Sequence, residues 1–548
     1  MTYVVTQACC NDATCVAVCP VNCIHPTPDE AQYARTEMLY IDPDTCIDCG
    51  ACADVCPVDA IVPDSDLTPE TEIYRDLNAA YFLGNPSVSG PTEVAPEPTR
   101  VVERSGTLRV AIVGSGPSAF YAAEELLKRR DVDVEVSMFE RLPVAGGLLR
   151  FGVAPDHQTT KAVDRLFSRT GGREGFRAFF GVEIGRDIGI EELLAHHHAV
   201  VHASGASDDR KLGIPGEDLP GSVAAREFVA WYNGHPEFAD RTFDLSGRRV
   251  VVVGNGNVAL DVARILARDP EHLVPGDLAE HALNALRKSA VEEVVVLGRR
   301  GPEHAAFTTP ELLALGSLPE VDVTVHGGYE APADAPIKLR TLAEYAQRTP
   351  RPGHRRIVLR FHGSPVEILG DDRVEGLRIA PFAGDGPAED LDTAMVLRSV
   401  GYRGSRVPGL PFDDERGTVP NVEGRVIDPA EGRPVQGAYV AGWIKRGPTG
   451  VIGTNRYCAA ETVETIVADF AQDRLRDPAG TADELAEVVR SRCPEAIDFD
   501  GWKRIDRHER LEGRRQGARG TSWWRSTRCW RSRGTPATFR ACSINNRL

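Results

Sequence analysis

Nine of the 13 cysteines in this 548-residue chain lie between residues 9 and 56. The last four of these nine, with the proline that follows them, give the spacing C-x2-C-x2-C-x3-C-P over residues 46–57. Three thiolates on such a tight loop reach three irons of one cubane, and the fourth points away toward another cluster. The first residues lack a basic region followed by an apolar one, so neither export nor a disulfide framework is indicated. The cysteines therefore predict iron–sulfur clusters.

An incomplete copy of this run precedes it. Counted from Cys9, the copy has the spacing C-x2-D-x2-C-x3-C-P, with Asp12 where the second cysteine belongs. The sequences that follow the two runs also match, as PVNCI at residues 20–24 and PVDAI at residues 57–61. A hard carboxylate oxygen holds iron less well than a soft thiolate does. We therefore expect a [3Fe–4S] cluster here, or a [4Fe–4S] cluster whose fourth ligand is Asp12 or Cys10.

Together the two runs resemble the two-cluster bacterial ferredoxins. The resemblance implies an α+β ferredoxin-like head over residues 1–66 and two crossed sets of cluster ligands. The set for a [4Fe–4S] cluster is Cys19, Cys46, Cys49 and Cys52, and the set for the second cluster is Cys9, Cys15 and Cys56.

A glycine-rich turn, G-x-G-x-x-A, follows an apolar strand at residues 108–113 and precedes an apolar helix at 120–128. The glycines allow a tight turn close to a pyrophosphate, which the N-terminus of the helix stabilises. The next strand, at 132–139, ends at Glu140, where a carboxylate binds the ribose hydroxyls of FAD or NAD. The contacts predicted for this nucleotide are Gly114, Gly116, Ser118, Ala119 and Glu140.

A second copy of the strand and turn begins at residue 249, and its next strand, at 291–297, ends in a glycine and two arginines. A 2′-phosphate needs positive, forked donors where a ribose hydroxyl needs an acceptor. The first copy is therefore predicted to bind FAD and the second NADP. The contacts predicted for NADP are Gly254, Asn255, Gly256, Asn257, Val258, Arg299 and Arg300.

The order of these segments predicts an α/β two-dinucleotide-binding, Rossmann-like flavoprotein with the NADP domain inserted in the FAD domain. Segments 199–206 and 397–402 look like the outgoing and returning crossovers between the nested folds. The predicted divisions are a Pro/Gly/Ser-rich linker at 67–106, FAD-binding parts at 107–206 and 397–510, an NADP-binding domain at 207–396, and a basic tail at 511–548 that we expect to be disordered.

Five stretches closely resemble the adrenodoxin reductase family, in particular its bacterial members that are fused to a ferredoxin. They are residues 151–157, 214–221, 254–261, 298–302 and 442–455. The resemblance implies hydride transfer from NADPH to FAD and then transfer of single electrons to a ferredoxin, which is the activity of a ferredoxin–NADP(+) reductase.

The family resemblance covers about residues 107–510 and also implies roles for single residues. His157 and Glu311 resemble a pair near the nicotinamide and flavin to which the family assigns protonic or orienting roles, and Glu311 is also expected to contact the cofactor. The implied contacts of the flavin and nicotinamide region are Leu148, Trp443, Gly450, Val451 and Ile452.

Charge and composition limit the partners. A formal net charge of −17 argues against binding of nucleic acid, which depends on neutralising phosphates. No stretch has the roughly 20 consecutive apolar residues of a membrane span, and we predict a cytoplasmic protein that does not bind membranes. Residues 1–66 carry an excess of acidic side chains that is either a solvated surface or a docking face for a basic reductase surface. The expected partners are NADPH and NADP+, the chain's own ferredoxin domain, and an external ferredoxin or monooxygenase.

Two alternatives fit parts of the same pattern. An electron-transfer subunit of the glutamate synthase or dihydropyrimidine dehydrogenase type also joins cysteine clusters to two dinucleotide folds. A protein of another class would use the same cofactors only for binding or redox sensing. Copurification with a large catalytic subunit would favour the first, and a lack of NADPH-driven dye reduction would favour the second.

Overall fold

The computed structural model describes residues 2–85, 106–383, 386–515 and 517–518. Most of the predicted linker and nearly all of the predicted basic tail lie outside these ranges. Below, "head" denotes residues 2–85 and "body" the described residues from 106 onward.

The head contains three α-helices and two short antiparallel ladders, in which β1 pairs with β4 and β2 with β3. The two cysteine runs fold alike: α1 and α2 have five residues each, start after a residue with positive φ, and end at a cysteine. The elements are β1 (Tyr3–Val5), α1 (Thr14–Val18), β2 (Ile24–His25), β3 (Tyr40–Ile41), α2 (Ala51–Val55), β4 (Ile61–Pro63) and α3 (Ile73–Gly84).

Helix α3 corrects the prediction that the chain is an irregular linker from residue 67. Buried Asn78 holds this helix on the head: its Oδ1 accepts from the Val5 and Ile41 amides at 3.2 and 2.9 Å, and its Nδ2 donates to the Val5 carbonyl at 2.9 Å. These bonds satisfy backbone groups that would otherwise be buried without partners. The head therefore extends to residue 84 as a structural unit.

The first sheet of the body has seven strands, and its strand order is β20-β21-β22-β8-β5-β6-β7, with all neighbours from β22 to β7 parallel. Parallel strands are apolar along their length because helices cover both faces. The elements before the second sheet are β5 (Leu108–Val113), α4 (Pro117–Leu127), β6 (Val134–Glu140), α5 (Leu148–Phe151), α6 (Gln158–Lys161), α7 (Asp164–Thr170), β7 (Phe176–Phe180), α8 (Ile190–His196), β8 (Ala199–His202) and β9 (Asp208–Asp209). Strand β9 is not part of this sheet and pairs with residues 402–403.

The second sheet is wholly parallel, with the strand order β10-β18-β11-β12-β14-β13, and a three-stranded antiparallel sheet, β15-β16-β17, lies beside it in sequence. The elements of this part of the chain, which builds both sheets, are β10 (Ser222–Ala224), α9 (Ala225–Tyr232), β11 (Arg249–Val253), α10 (Asn257–Ala267), α11 (Glu280–Leu286), β12 (Glu293–Leu297), α12 (Thr309–Gly316), β13 (Val321–Val325), α13 (Ile337–Ala346), β14 (Arg355–Arg360), β15 (Gly363–Leu369), β16 (Gly376–Pro381), β17 (Glu389–Asp392) and β18 (Met395–Arg398).

The chain then returns to the first sheet, so the second sheet is built from residues between two parts of the first. Helix α17 runs past the predicted boundary at residue 510. Within the described ranges, we find no helix with the length and apolar character needed to cross a membrane. The returning elements are β19 (Tyr402–Arg403), β20 (Asn421–Val422), β21 (Arg425–Asp428), β22 (Arg433–Val440), α14 (Trp443–Arg446), α15 (Thr454–Ala471), α16 (Ala482–Arg492) and α17 (Phe499–Arg515).

Candidate active site

The first glycine turn joins β5 to α4. Gly114 has a φ of 110°, and a Cβ there would lie 2.6 Å from the Ala203 carbonyl oxygen, so the crossover after β8 requires a glycine. Gly116 is the N-cap of α4, and a Cβ at Gly147 would lie 2.9 Å from the Gly116 Cα. Bare backbone therefore lines the helix N-terminus, which is what a pyrophosphate requires.

Glu140 closes this turn from the end of β6. Its carboxylate accepts from the Ser115 amide at 3.1 Å, the Ser115 hydroxyl at 2.7 Å and the Leu142 amide at 2.9 Å. Burial raises the pKa of Glu140. Nearby, the Ser118 hydroxyl donates to Asn455 at 2.8 Å, and Ala119 is fully buried in α4. The Glu140 carboxylate fits the ribose of FAD, and the glycine turn fits its pyrophosphate.

The second glycine turn joins β11 to α10 in the same way. Gly254 has a φ of 111°, and a Cβ there would lie 2.2 Å from the Ser399 carbonyl oxygen. Gly256 is the N-cap of α10, and a Cβ there would meet no atom within 4 Å. Asn257 accepts from the Thr308 amide at 2.8 Å and donates to the Thr308 hydroxyl at 3.3 Å, which anchors the turn to the start of α12. Asn255 precedes Gly256 in this turn, and Val258 follows Asn257.

Arg299 and Arg300 follow β12 after one glycine, and both are exposed. The Arg299 guanidinium lies 5.3 Å from the centre of the Phe382 ring. Among the described residues, neither arginine has a carboxylate partner. Two free guanidinium groups beside a glycine turn fit the 2′-phosphate of NADP, which takes forked, charged donors.

His157 and Glu311 are brought together from different parts of the body. The His157 Nε2 lies 3.8 Å from the Glu311 Oε2, and its Nδ1 lies 3.9 Å from the Asp261 Oδ1. Glu311 is in the first turn of α12, which Thr308 caps. Burial raises the pKa of Glu311, and its Oε2 has no hydrogen-bond partner in the described structure.

Arg264 supports this pair and was not identified by the sequence analysis. Its side chain is 3% exposed, and its guanidinium lies 2.8 Å from Asp156, 2.6 Å from Asp261 and 3.6 Å from Glu311. Asp261 and Arg264 are three residues apart on α10, one turn beyond the glycine motif, and this spacing is the signal that could have identified them. The ligand atoms of His157, Asp261 and Glu311 lie within 4.8 Å of one another, but the nearby guanidinium opposes a metal cation.

The segment after α14 is held rigidly. The Trp443 Nε1 donates to the Thr449 carbonyl at 3.2 Å, and Gly450 has a φ of 77°. The carbonyls of Val451 and Ile452 accept from the Asn455 Nδ2 at 3.2 and 3.0 Å. Across the site, Leu148 begins α5 and is 36% exposed, which leaves an apolar side chain open to a flavin ring.

The seven predicted cluster ligands fall into two groups. One small cavity is lined by Cys19, Cys46, Cys49 and Cys52, together with the extra Cys23. The pKa of Cys19 is lowered to about 5 by a hydrogen bond from Cys23, whose sulfur lies 3.4 Å away.

The second group contains Cys9, Cys15 and Cys56. Burial raises the pKa of Cys15, and the neighbouring Cys9, Asp12 and Cys56 raise it further. Burial also raises the pKa of Cys9, to about 12, and that of Cys56. Buried thiols of this kind ionise readily only when a metal stabilises the thiolate, so the second group fits an iron–sulfur cluster. The first group fits one because its four thiols line a single cavity.

Asp12 and Cys10, the alternative fourth ligands, both lie at the boundary between head and body. Asp12 is 7% exposed, and its Oδ1 accepts from the Thr14 amide at 3.3 Å. The Cys10 side chain is buried in the apolar core that surrounds α4. The side chain of Asp12 therefore lies among polar groups, whereas that of Cys10 lies among apolar ones.

The loop at residues 9–14 is the part of the head that lies on the body. The Gly453 amide donates to the Cys10 carbonyl at 2.7 Å, and Arg456 donates to the Asp12 carbonyl at 3.3 Å and to the Thr14 hydroxyl at 2.9 Å. Since Gly453 directly follows the segment at 450–452, the second cysteine group lies next to the predicted flavin contacts.

A second contact joins the head to α12 and α13. Glu37 accepts from the Thr309 amide at 2.7 Å and from Lys338 at 2.6 Å. Within the described ranges, Glu37 and Asp12 are the head carboxylates that lie within 4 Å of a basic side chain of the body. Only a small part of the acidic excess is therefore used in docking to the reductase body.

Two family models match the chain. The model described as "4Fe-4S binding domain" matches residues 39–62, which contain the complete cysteine run. The model described as "Pyridine nucleotide-disulphide oxidoreductase" matches residues 108–294, from the start of β5 to the start of β12.

Curated relatives match over most of the chain. A Mycobacterium tuberculosis protein named "Probable ferredoxin/ferredoxin--NADP reductase" is 51% identical over 534 residues, which covers 94% of this chain and 92% of the relative. An Arabidopsis thaliana protein named "NADPH:adrenodoxin oxidoreductase, mitochondrial" is 38% identical over 444 residues, covering 75% and 92%.

A solved structure agrees with these relatives. The structure described as "Mycobacterium tuberculosis FprA in complex with NADPH" matches with a TM-score of 0.71 and 44% sequence identity, over 76% of this chain and 97% of that chain. The glycine turns, the cysteine runs and the similarity along nearly the whole length lead to one conclusion. The chain belongs to the ferredoxin/ferredoxin–NADP reductase family, and it is homologous to the adrenodoxin reductases.

Proposed function

We propose that the protein is a ferredoxin–NADP(+) reductase that carries its ferredoxin in the same chain. It takes a hydride from NADPH and passes single electrons through the head to an external one-electron acceptor, such as a ferredoxin or a monooxygenase. The observation that supports this most strongly is the hydrogen bond from Gly453 to the Cys10 carbonyl, since it joins a cysteine loop to the segment proposed to contact the flavin.

The body residues have separate tasks in this proposal. When bound, FAD accepts the two electrons of a hydride and releases them one at a time, which is the chemistry needed between a nicotinamide and an iron–sulfur cluster. The first glycine turn and Glu140 hold its pyrophosphate and ribose, and Leu148 and Trp443 bound its ring. His157 and Glu311 orient the nicotinamide and hold a proton beside it.

The head residues belong to the same proposal. Cys19, Cys46, Cys49 and Cys52 hold a [4Fe–4S] cluster. Cys9, Cys15 and Cys56 hold the second cluster, which is of the [3Fe–4S] type, or of the [4Fe–4S] type if Asp12 or Cys10 is a ligand. Iron counting together with EPR of the anaerobically purified protein distinguishes these cluster types.

The domain limits are also proposed on this basis, with FAD bound by residues 107–206 and 397–510 and NADP by residues 207–396. The glutamate synthase-like alternative has less support, because the relatives matched over 92% and 95% of their length are named as reductases. The cytoplasmic location stays a prediction from the sequence.

The direct test of this function is anaerobic addition of NADPH to the holoprotein, followed by visible and EPR spectroscopy. We expect the flavin absorbance to bleach and signals of reduced iron–sulfur centres to appear, with NADH as the weaker donor. Flavin that bleaches while the iron–sulfur centres stay oxidised would exclude the internal transfer. Protein that holds neither flavin nor iron would exclude the whole proposal.

The two arginines after β12 should determine the preference for NADPH. The double substitution Arg299→Gln with Arg300→Gln removes the charged donors, and one hydrogen bond to a charged group contributes about 1.5–3 kcal/mol. We expect the KM for NADPH to rise about tenfold or more in steady-state dye reduction, while the KM for NADH stays unchanged. Arg340→Gln, at an exposed position on α13, is the control. An equal loss with both nucleotides would contradict the assignment.

The pH dependence of NADPH oxidation should report Glu311. Because burial raises its pKa, this carboxyl stays protonated to a higher pH than an ordinary glutamate and becomes charged as pH rises further. Glu311→Gln mimics the protonated form at every pH. We expect its kcat/KM to match that of the wild type where the wild-type carboxyl is protonated and to fall about 100-fold below it where that carboxyl is charged, the scale of general acid–base catalysis.

The measurement is a pH profile of kcat/KM for NADPH with ferricyanide as acceptor. Glu344→Gln, on the exposed side of α13, is the matched control and should retain the wild-type profile. If Glu311→Gln also retained that profile, Glu311 would have no part in the protonic step.

A further inference from the structure

The head has one face on the body and one face away from it. The hydrogen bonds to the body come from residues 9–14 and from Glu37, and the Tyr33 ring lies 5.1 Å from the Tyr457 ring. Apolar side chains of the segment 56–60 also pack against the body's core. In the part of the chain that the structure describes, residues 44–54 make no hydrogen bond or ion pair to the body. The loop at residues 44–54, which carries the first three cysteines of the complete run, therefore lies away from the body.

This loop exposes an unusual set of side chains. Ile47 is 57% exposed, although it lies between two of the proposed ligands, and Cys49 is the one proposed ligand that is exposed. Val18, directly before Cys19 of the same group, is 36% exposed. Apolar side chains in solvent beside a redox centre are typical of the central part of a protein interface.

Acidic side chains surround the apolar residues. Residues 36–74 contain ten aspartates and glutamates and no lysine, arginine or histidine. Asp44, Asp48 and Asp54 are exposed, and none has a cationic partner among the described residues. A strong field of one sign attracts a partner of the opposite sign and orients it during encounter.

We propose that Asp44, Ile47, Asp48, Cys49 and Asp54 form the docking surface for the external acceptor. We call this set the acidic exit face. Its partner is a separate one-electron redox protein, with a haem or an iron–sulfur centre at the middle of a basic surface. The inference rests on the proposed function, because a docking surface matters only if electrons reach the head.

The arrangement also gives the two cysteine groups different positions. Cys9, Cys15 and Cys56 belong to the side of the head that meets the body, and Cys56 packs partly against the body's core. Cys19 and the loop at 46–52 belong to the side that stays accessible. A partner on the acidic exit face therefore approaches the head without displacing it from the reductase body.

The test uses the holoprotein and cytochrome c, a haem protein with a basic surface. The triple variant Asp44→Asn, Asp48→Asn and Asp54→Asn removes the charge of the face with little change in shape. Its control is Asp334→Asn, Asp371→Asn and Asp372→Asn, three exposed acids of the body that have no ion pair within the described structure. Calorimetry gives the Kd for cytochrome c, and steady-state assays give the KM for cytochrome c and the rate with ferricyanide.

We expect both the Kd and the KM for cytochrome c to rise about tenfold or more in the triple variant at low ionic strength, which is within the range of electrostatic steering. The difference should shrink with added salt, and the rate with ferricyanide should not change. Wild-type affinity in the triple variant, or an equal loss in the control, would overturn the proposal.

EPR after anaerobic NADPH addition separates this inference from the proposed function. Reduced iron–sulfur signals together with unchanged cytochrome c binding in the triple variant would overturn the acidic exit face alone. Oxidised iron–sulfur centres in the wild type would overturn the proposed function.

Carbodiimide cross-linking gives a second readout that needs no variant. Cytochrome c should be linked to peptides that contain Asp44, Asp48 or Asp54. Links only to acids of the body would contradict the docking surface.

Discussion

The backbone at Gly453 connects the two parts of the proposed chemistry. Its amide donates to the Cys10 carbonyl, and a Cβ there would lie 2.2 Å from the backbone of Asn11 and Asp12, so any side chain would push the head away. The residues directly before it, 450–452, are the proposed contacts of the flavin and nicotinamide. One close approach of two backbones thus determines how near a cysteine loop lies to the flavin, and a one-electron carrier must be near its donor.

A second constraint fixes the two nucleotide folds relative to each other. Asp156 comes from the first part of the body, Arg264 and Asp261 from α10, and Glu311 from α12, and all four lie in one buried cluster. Although burial alone would raise it, the Arg264 guanidinium holds the pKa of Asp156 well below its usual range. Removal of one charged side chain from such a cluster leaves a buried charge without its partner, which lowers the stability of the fold. It is also the frame that brings His157 to Glu311.

The parts of the site that could be predicted from the sequence are those whose chemistry depends on local spacing. The glycine turns, the arginines after β12 and the cysteine runs all lie within short segments, and the parallel strands of the two sheets follow from their order. Helix α3 was missed because its position depends on one buried amide, Asn78, and on strands far away in the sequence. Arg264 was missed because only Asp261, of its three acidic partners, lies near it in the sequence, and the other two are brought to it by the fold. The docking of the head depends on tertiary contacts and likewise leaves no local pattern.

The central claim is that the head docks on the body through the side that carries residues 9–14 and Glu37. A zero-length carbodiimide reagent joins a carboxylate to an amine only where the two are in contact, and the Glu37 and Lys338 side chains lie 2.6 Å apart. Mass spectrometry of the treated, monomeric holoprotein should therefore find peptides linked between Glu37 and Lys338, and Glu37→Gln should abolish this link. The account would be contradicted if that link were absent while Asp44, Asp48 or Asp54 were joined to lysines of the body.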